Sequence, residues 1–128
     1  MHTKIEDFIH DLYADIDSGE DAKYIAGKYF TEAAVLVHYG AVHKGADAVA
    51  EWCGALQSGY DNSVHRVKGV DCAQFPDVIA VQADTIWTAG YKNMPGKNMI
   101  MHKTVVRMDI VEDGGFYKIK NYISKVVG

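Results

Sequence analysis

The spacing of apolar positions changes once along this chain, from a helical period to strict alternation. Ile5, Phe8, Ile9, Leu12, Tyr13 and Ile16 recur at helical intervals, with Asp7, Asp11 and Asp15 on the opposite side. Thr3-Lys4-Ile5-Glu6 has the form of a capping box opening this helix, and Asp17-Ser18-Gly19 closes it. Ser18 reads as the cap of a short second helix over roughly 20–30, ending in Tyr29-Phe30. Ala34 to Tyr39 is a short apolar run that predicts a strand, with Val37 and Tyr39 on its inward face. His43-Lys44-Gly45 leads into a third helix carrying Val49, Trp52, Cys53 and Leu56 on one face and ending at Gly59.

From there the period is two. Val64–Phe75, Val78–Ala89, Met99–Val111 and Phe116–Val127 all predict strands. Phe75-Pro76-Asp77 is a tight connection, Gly90 to Asn98 a longer loop with Pro95-Gly96, and Asp113-Gly114-Gly115 a hairpin turn. Three helices with one strand between the second and third, then four antiparallel strands, make an α+β plan. The helices are the available apolar cover for one sheet face. A curved, mixed, mostly antiparallel sheet with helices on its concave side leaves room for a conical cavity.

Composition narrows the class. At 128 residues the chain is one domain over 1–128. Such a chain buries roughly 65–70% of its unfolded surface and needs no disulfide. Cys53 and Cys72 are two widely separated thiols in apolar patterns, read as reduced core residues of a reducing compartment. The net charge is −4, and the basic residues are scattered, which argues against nucleic-acid binding. Apolar runs fall far short of the ~20 residues of a membrane span. The first residues lack the apolar core of a signal peptide, so the cytoplasm is the expected location.

Two histidines carry the candidate chemistry. His65 shares a strand face with Val67 and Gly69, while Arg66 and Lys68 point the other way. His102 shares a face with Thr104, Val106, Met108 and Ile110. Imidazoles among aliphatic groups exchange protons near neutral pH. Asp84, alternating with Ile86, reads as a surface acid. His38 and His43 flank a turn and do not supply the ligand set of a zinc site.

The order of elements resembles the NTF2-like (cystatin-like) α+β cone and, within it, the SnoaL-like families. Four phrases carry the resemblance: Tyr29-Phe30-Thr31-Glu32-Ala33-Ala34-Val35, His43-Lys44-Gly45-Ala46-Asp47-Ala48-Val49, Val81-Gln82-Ala83-Asp84-Thr85-Ile86-Trp87-Thr88, and the last hairpin from Asp109 to Ile119. Together they cover nearly the whole chain. The site pattern is most similar to scytalone dehydratase-like members. That resemblance implies catalytic roles for Asp17, Tyr39, His65 and His102, although Ile16 stands where those proteins have a second tyrosine. A ketosteroid isomerase pattern finds only Tyr13. An epoxide hydrolase pattern fails because Arg66 and Arg107 alternate outward.

The resemblance implies a lyase, dehydratase, isomerase or cyclase working by acid–base chemistry without a cofactor. Its expected ligand is a small hydrophobic, polyketide- or terpenoid-like molecule lined by Tyr13, Phe30, Trp52, Val67, Trp87, Met108 and Ile119. The alternative is a binding or accessory protein with the same cone and no turnover, or an interaction module. A backbone-bonded His65, a capping Asp17 and a core Tyr39 are the corresponding structural roles. A homodimer through an outer sheet face carrying Val70, Cys72, Ile86 and Val105 is expected.

Overall fold

Three helices cover one face of a single six-stranded sheet that does not close. The computed structural model describes residues 4–92 and 99–128. Thr3 of the expected capping box and the Pro95-Gly96 loop lie outside the described residues. The elements are α1 (Lys4–Asp17), α2 (Ala22–Tyr29), β1 (Phe30–His38), β2 (Ala41–Lys44), α3 (Ala46–Gly59), β3 (Tyr60–Gln74), β4 (Ile79–Tyr91), β5 (Met99–Asp113) and β6 (Phe116–Val126). The strand order is β2-β1-β6-β5-β4-β3, antiparallel throughout except for the parallel β1–β6 pair. The α+β plan with a mixed, mostly antiparallel sheet is thus the observed one.

Each helix forms because its buried positions fall on one stripe. In α1 these are Ile5, Ile9, Leu12, Tyr13 and Ile16; in α3 they are Val49, Trp52, Cys53 and Leu56. The cap of α2 is Asp21, whose carboxylate accepts from the Tyr24 N–H at 3.1 Å. The expected cap, Ser18, instead donates its hydroxyl to the Asp15 carbonyl at 3.1 Å.

Three local features correct the expected strand faces. First, β2 exists. A two-residue turn, Tyr39-Gly40, with φ of 50° and 86°, folds β2 back on β1 so that Val37 faces Val42. Positive φ at both positions is the geometry that suits the twist of a hairpin. Second, Leu36 and His38, not Val37 and Tyr39, take the inward positions of β1; Leu36 is fully buried. Third, β3 slips register between Asp61 and Val64 and again between Val67 and Gly69. The second bulge turns Val70 onto the core side rather than the outer face. Cys53 is buried, whereas Cys72 is exposed and not the core residue expected.

Part of the core lies where β1 and β6 run parallel beside β5. Phe30, Leu36, Ile110 and Ile119 are all essentially without solvent contact there. Leu36→Ala is expected to lower the unfolding free energy by about 2–5 kcal/mol in a urea titration. Val42→Ala, at an exposed position on β2, should change it by less than about 0.5 kcal/mol.

Candidate active site

The strand register places His65, Trp87 and His102 in one row across β3, β4 and β5. All three therefore lie on the face covered by the helices. Two strand spacings put the histidine backbones about 10 Å apart, with Trp87 between them. Its indole ring lies 6.1 Å from the His65 ring and 5.5 Å from that of His102. The Trp87 Nε1–H donates to Ser63 Oγ at 2.8 Å, and Tyr60 meets the ring edge-on at 5.0 Å.

His65 is held by Asp17 at the end of α1. One carboxylate oxygen accepts the His65 backbone N–H at 2.6 Å, and the other lies 2.7 Å from Nδ1. Both side chains are largely buried, at 11% and 17% exposure. A carboxylate on Nδ1 fixes the proton there and leaves Nε2 as the basic nitrogen. Nε2 has no protein partner among the described residues. The Tyr13 ring stacks on the imidazole at 4.8 Å. Tyr13 also shares a 2.9 Å hydrogen bond with the hydroxyl of Tyr122, and burial pushes both phenols well above their ordinary pKa.

His102 belongs to a second pair. Its Nδ1 lies 3.1 Å from the Tyr39 hydroxyl. Tyr39 reaches it through the left-handed turn described above, not through strand alternation. Its ring stacks on His38 at 4.0 Å and stays 39% exposed at the rim. Burial raises its pKa, so the hydroxyl is a donor at neutral pH.

These residues surround a hollow of about 10 Å³, bordered by Tyr13, His38, Tyr39, Trp52, His65 and Trp87 among others. That is room for about one water. The four expected catalytic residues thus form two pairs, Asp17–His65 and Tyr39–His102, on either side of Trp87. His102 does not border the hollow; Tyr39 stands in front of it. Of the expected lining residues, Tyr13, Trp52 and Trp87 border the hollow. Phe30, Met108 and Ile119 instead lie in the core, and Val67 packs against it from the side. A surface groove of about 290 Å³ lies on the other side of Leu56, which it shares with the hollow, and Asp17 lines the groove.

His38 is the residue that sequence reasoning passed over. The two-residue period through Ala34 and Leu36 points to it once the phase of β1 is right. It packs edge-on against Trp52 at 5.4 Å. Burial, with added repulsion from His65, His43 and His102, holds its pKa down to about 4.

No protein-family model and no curated protein matches this chain. Solved structures do. A scytalone dehydratase-like protein of Novosphingobium aromaticivorans superposes with a TM-score of 0.86 at 13% identity, covering 97% of this chain and 82% of that one. A hexachlorocyclohexane dehydrochlorinase, LinA type 2, gives 0.84 at 14% identity over 97% and 83%. An NTF2-like protein with a cystatin-like fold, also from Novosphingobium aromaticivorans, gives 0.77 at 15% identity over 97% and 80%. The fold is that of the NTF2-like proteins.

The lowered pKa of His38 makes stability depend on pH. Above about pH 6.5 the residue is neutral whether folded or unfolded. As pH falls below 6.5 the unfolded chain takes up a proton that the folded chain refuses until about pH 4. Stability is therefore lost across that window. Urea titrations at pH 7.5 and 5 should show a smaller acid loss in His38→Gln than in the wild type.

Proposed function

We propose that the chain is an acid–base enzyme of the lyase type, removing HX from a small, flat, mostly apolar molecule. The observation that carries this reading is the Asp17–His65 pair: both carboxylate oxygens are committed to His65, and the imidazole borders the hollow. His65 Nε2 takes the proton from a substrate carbon, and Asp17 steadies the imidazolium that forms. The C–H electrons become the new double bond. The Tyr39 hydroxyl, backed by His102, gives its proton to the leaving group. The dehydratase-like and dehydrochlorinase neighbours carry names that describe eliminations of this kind. Substrate needs more than the one-water hollow, so the rim opens first. Tyr39, exposed on its two-residue turn, is the side chain placed to swing.

A binding protein without turnover is the second reading. It is favoured by His102, which does not border the hollow. We also propose a soluble cytoplasmic homodimer associated through the outer sheet face. No helix among the described residues is long and apolar enough to cross a membrane.

5-Nitrobenzisoxazole separates the first two readings. It is a flat carbon acid that opens to a coloured phenolate when a base removes its C3 proton. The wild type should accelerate the opening, and His65→Ala should lower the rate about 10²–10⁴-fold. Asp17→Asn should lower it less, with the near-UV circular dichroism of both variants unchanged. An acceleration that survives His65→Ala would reject His65 as the base.

A further inference from the structure

On the wall of the hollow formed by β1 and α3, two polar atoms stand without partners. Among the described residues, the buried side-chain nitrogens or oxygens lacking any hydrogen bond are His38 Nδ1 and Trp52 Nε1. Both residues border the same hollow, and their rings are 5.4 Å apart. Trp52 is only 6% exposed, so its N–H has no route to bulk water. A single oxygen atom in the hollow, from a water or from a ligand, would satisfy both, and the hollow has room for one. Three neighbouring polar groups are already engaged. Tyr13 is bonded to Tyr122, Thr85 to Thr104, and the Trp87 N–H to Ser63.

We infer that the His38–Trp52 corner is a subsite for a hydroxyl group of the ligand, so the molecule this protein takes is a hydroxylated aromatic or alicyclic one. The inference rests on the reading that the hollow is the ligand site, but not on turnover. Trp52 Nε1–H only donates, so the incoming atom must accept. A neutral imidazole donates from one nitrogen and accepts at the other. If Nδ1 accepts, a hydroxyl accepts from Trp52 and donates to His38. If Nδ1 donates, the two lone pairs of the same oxygen accept both. A hydroxyl thus fits either tautomer, whereas a carbonyl fits one and an apolar group neither. The corner occupies a different part of the wall from the Asp17–His65 pair. A ligand anchored there by its oxygen fills the hollow with that one atom, and its ring needs the space that opens when the Tyr39 rim moves aside.

Phenol and toluene are the probes, differing in the hydroxyl alone. The protein has two tryptophans, and their indole N–H signals in a ¹H–¹⁵N spectrum report the two sites separately. Phenol should move the Trp52 Nε1–H resonance downfield while leaving Trp87, already bonded to Ser63, nearly still. Toluene should move Trp52 much less. Trp52→Phe keeps a ring in place without the N–H. It should weaken phenol binding about 3–10-fold and leave toluene affinity unchanged. Val42→Ala, exposed on β2 and outside the lining of the hollow, should leave phenol binding unaltered.

Equal response to the two probes, no phenol binding by the wild type, or unchanged phenol affinity in Trp52→Phe would each overturn the inference. Phenol binding that needs the Trp52 N–H, in a protein with no His65-dependent turnover, would uphold the subsite and reject the enzyme reading instead.

Discussion

The arrangement turns on one carboxylate. β3 is an edge strand, so half of its backbone N–H groups face away from β4. Asp17 accepts one of these, at His65, and with its other oxygen meets the imidazole of the same residue. A single side chain at the C-terminal end of α1 thereby ties helix to sheet, satisfies an edge donor and selects a tautomer. Its position follows from the α1 stripe: Ile16 is buried, and the next residue emerges where the helix meets the start of β3. Charge-assisted bonds of this kind are stronger than neutral ones and hold geometry well. Proton transfer depends on such a fixed base more than on any feature of the surrounding wall.

Much of the fold was legible because period and punctuation agreed. The α1 and α3 stripes, the alternation in β4 and β5, and the Asp113-Gly114-Gly115 turn each left a direct mark in residue order. The phase of β1 did not. Ala34, Val35, Leu36 and Val37 are all apolar, with Val35 and Val37 half-buried on the outer face, so no polar residue marks that face. That one-residue ambiguity exchanged Tyr39 for His38. β2 was missed because it has four residues and its turn, Tyr39-Gly40, lacks the usual Asn or Asp before the glycine. Bulges leave no mark in residue order either, which is why Val70 lies on the opposite face from the one alternation assigned. Asp17 and His65 were both legible as candidates, but their pairing is a long-range contact that no local pattern reveals.

Tyr39 shows how strain and chemistry coincide. A bulky aromatic residue at φ 50° is uncommon and is held only when its surroundings insist. Here the stack on His38 and the bond to His102 supply that insistence. The same backbone turn that folds β2 onto β1 therefore sets a hydroxyl across the mouth of the hollow. Polarity around the hollow is concentrated on a few atoms set among aromatic rings.

The two slips of register in β3 have a consequence beyond aiming side chains. A 15-residue strand on the border of a sheet is an open template for a foreign strand, the geometry from which fibrils grow. Each bulge breaks the regular ladder of donors and acceptors and sharpens the local twist, and Arg66 and Lys68 add charge between them. The irregularity beside the inward imidazole also makes this border a poorer template for a second strand.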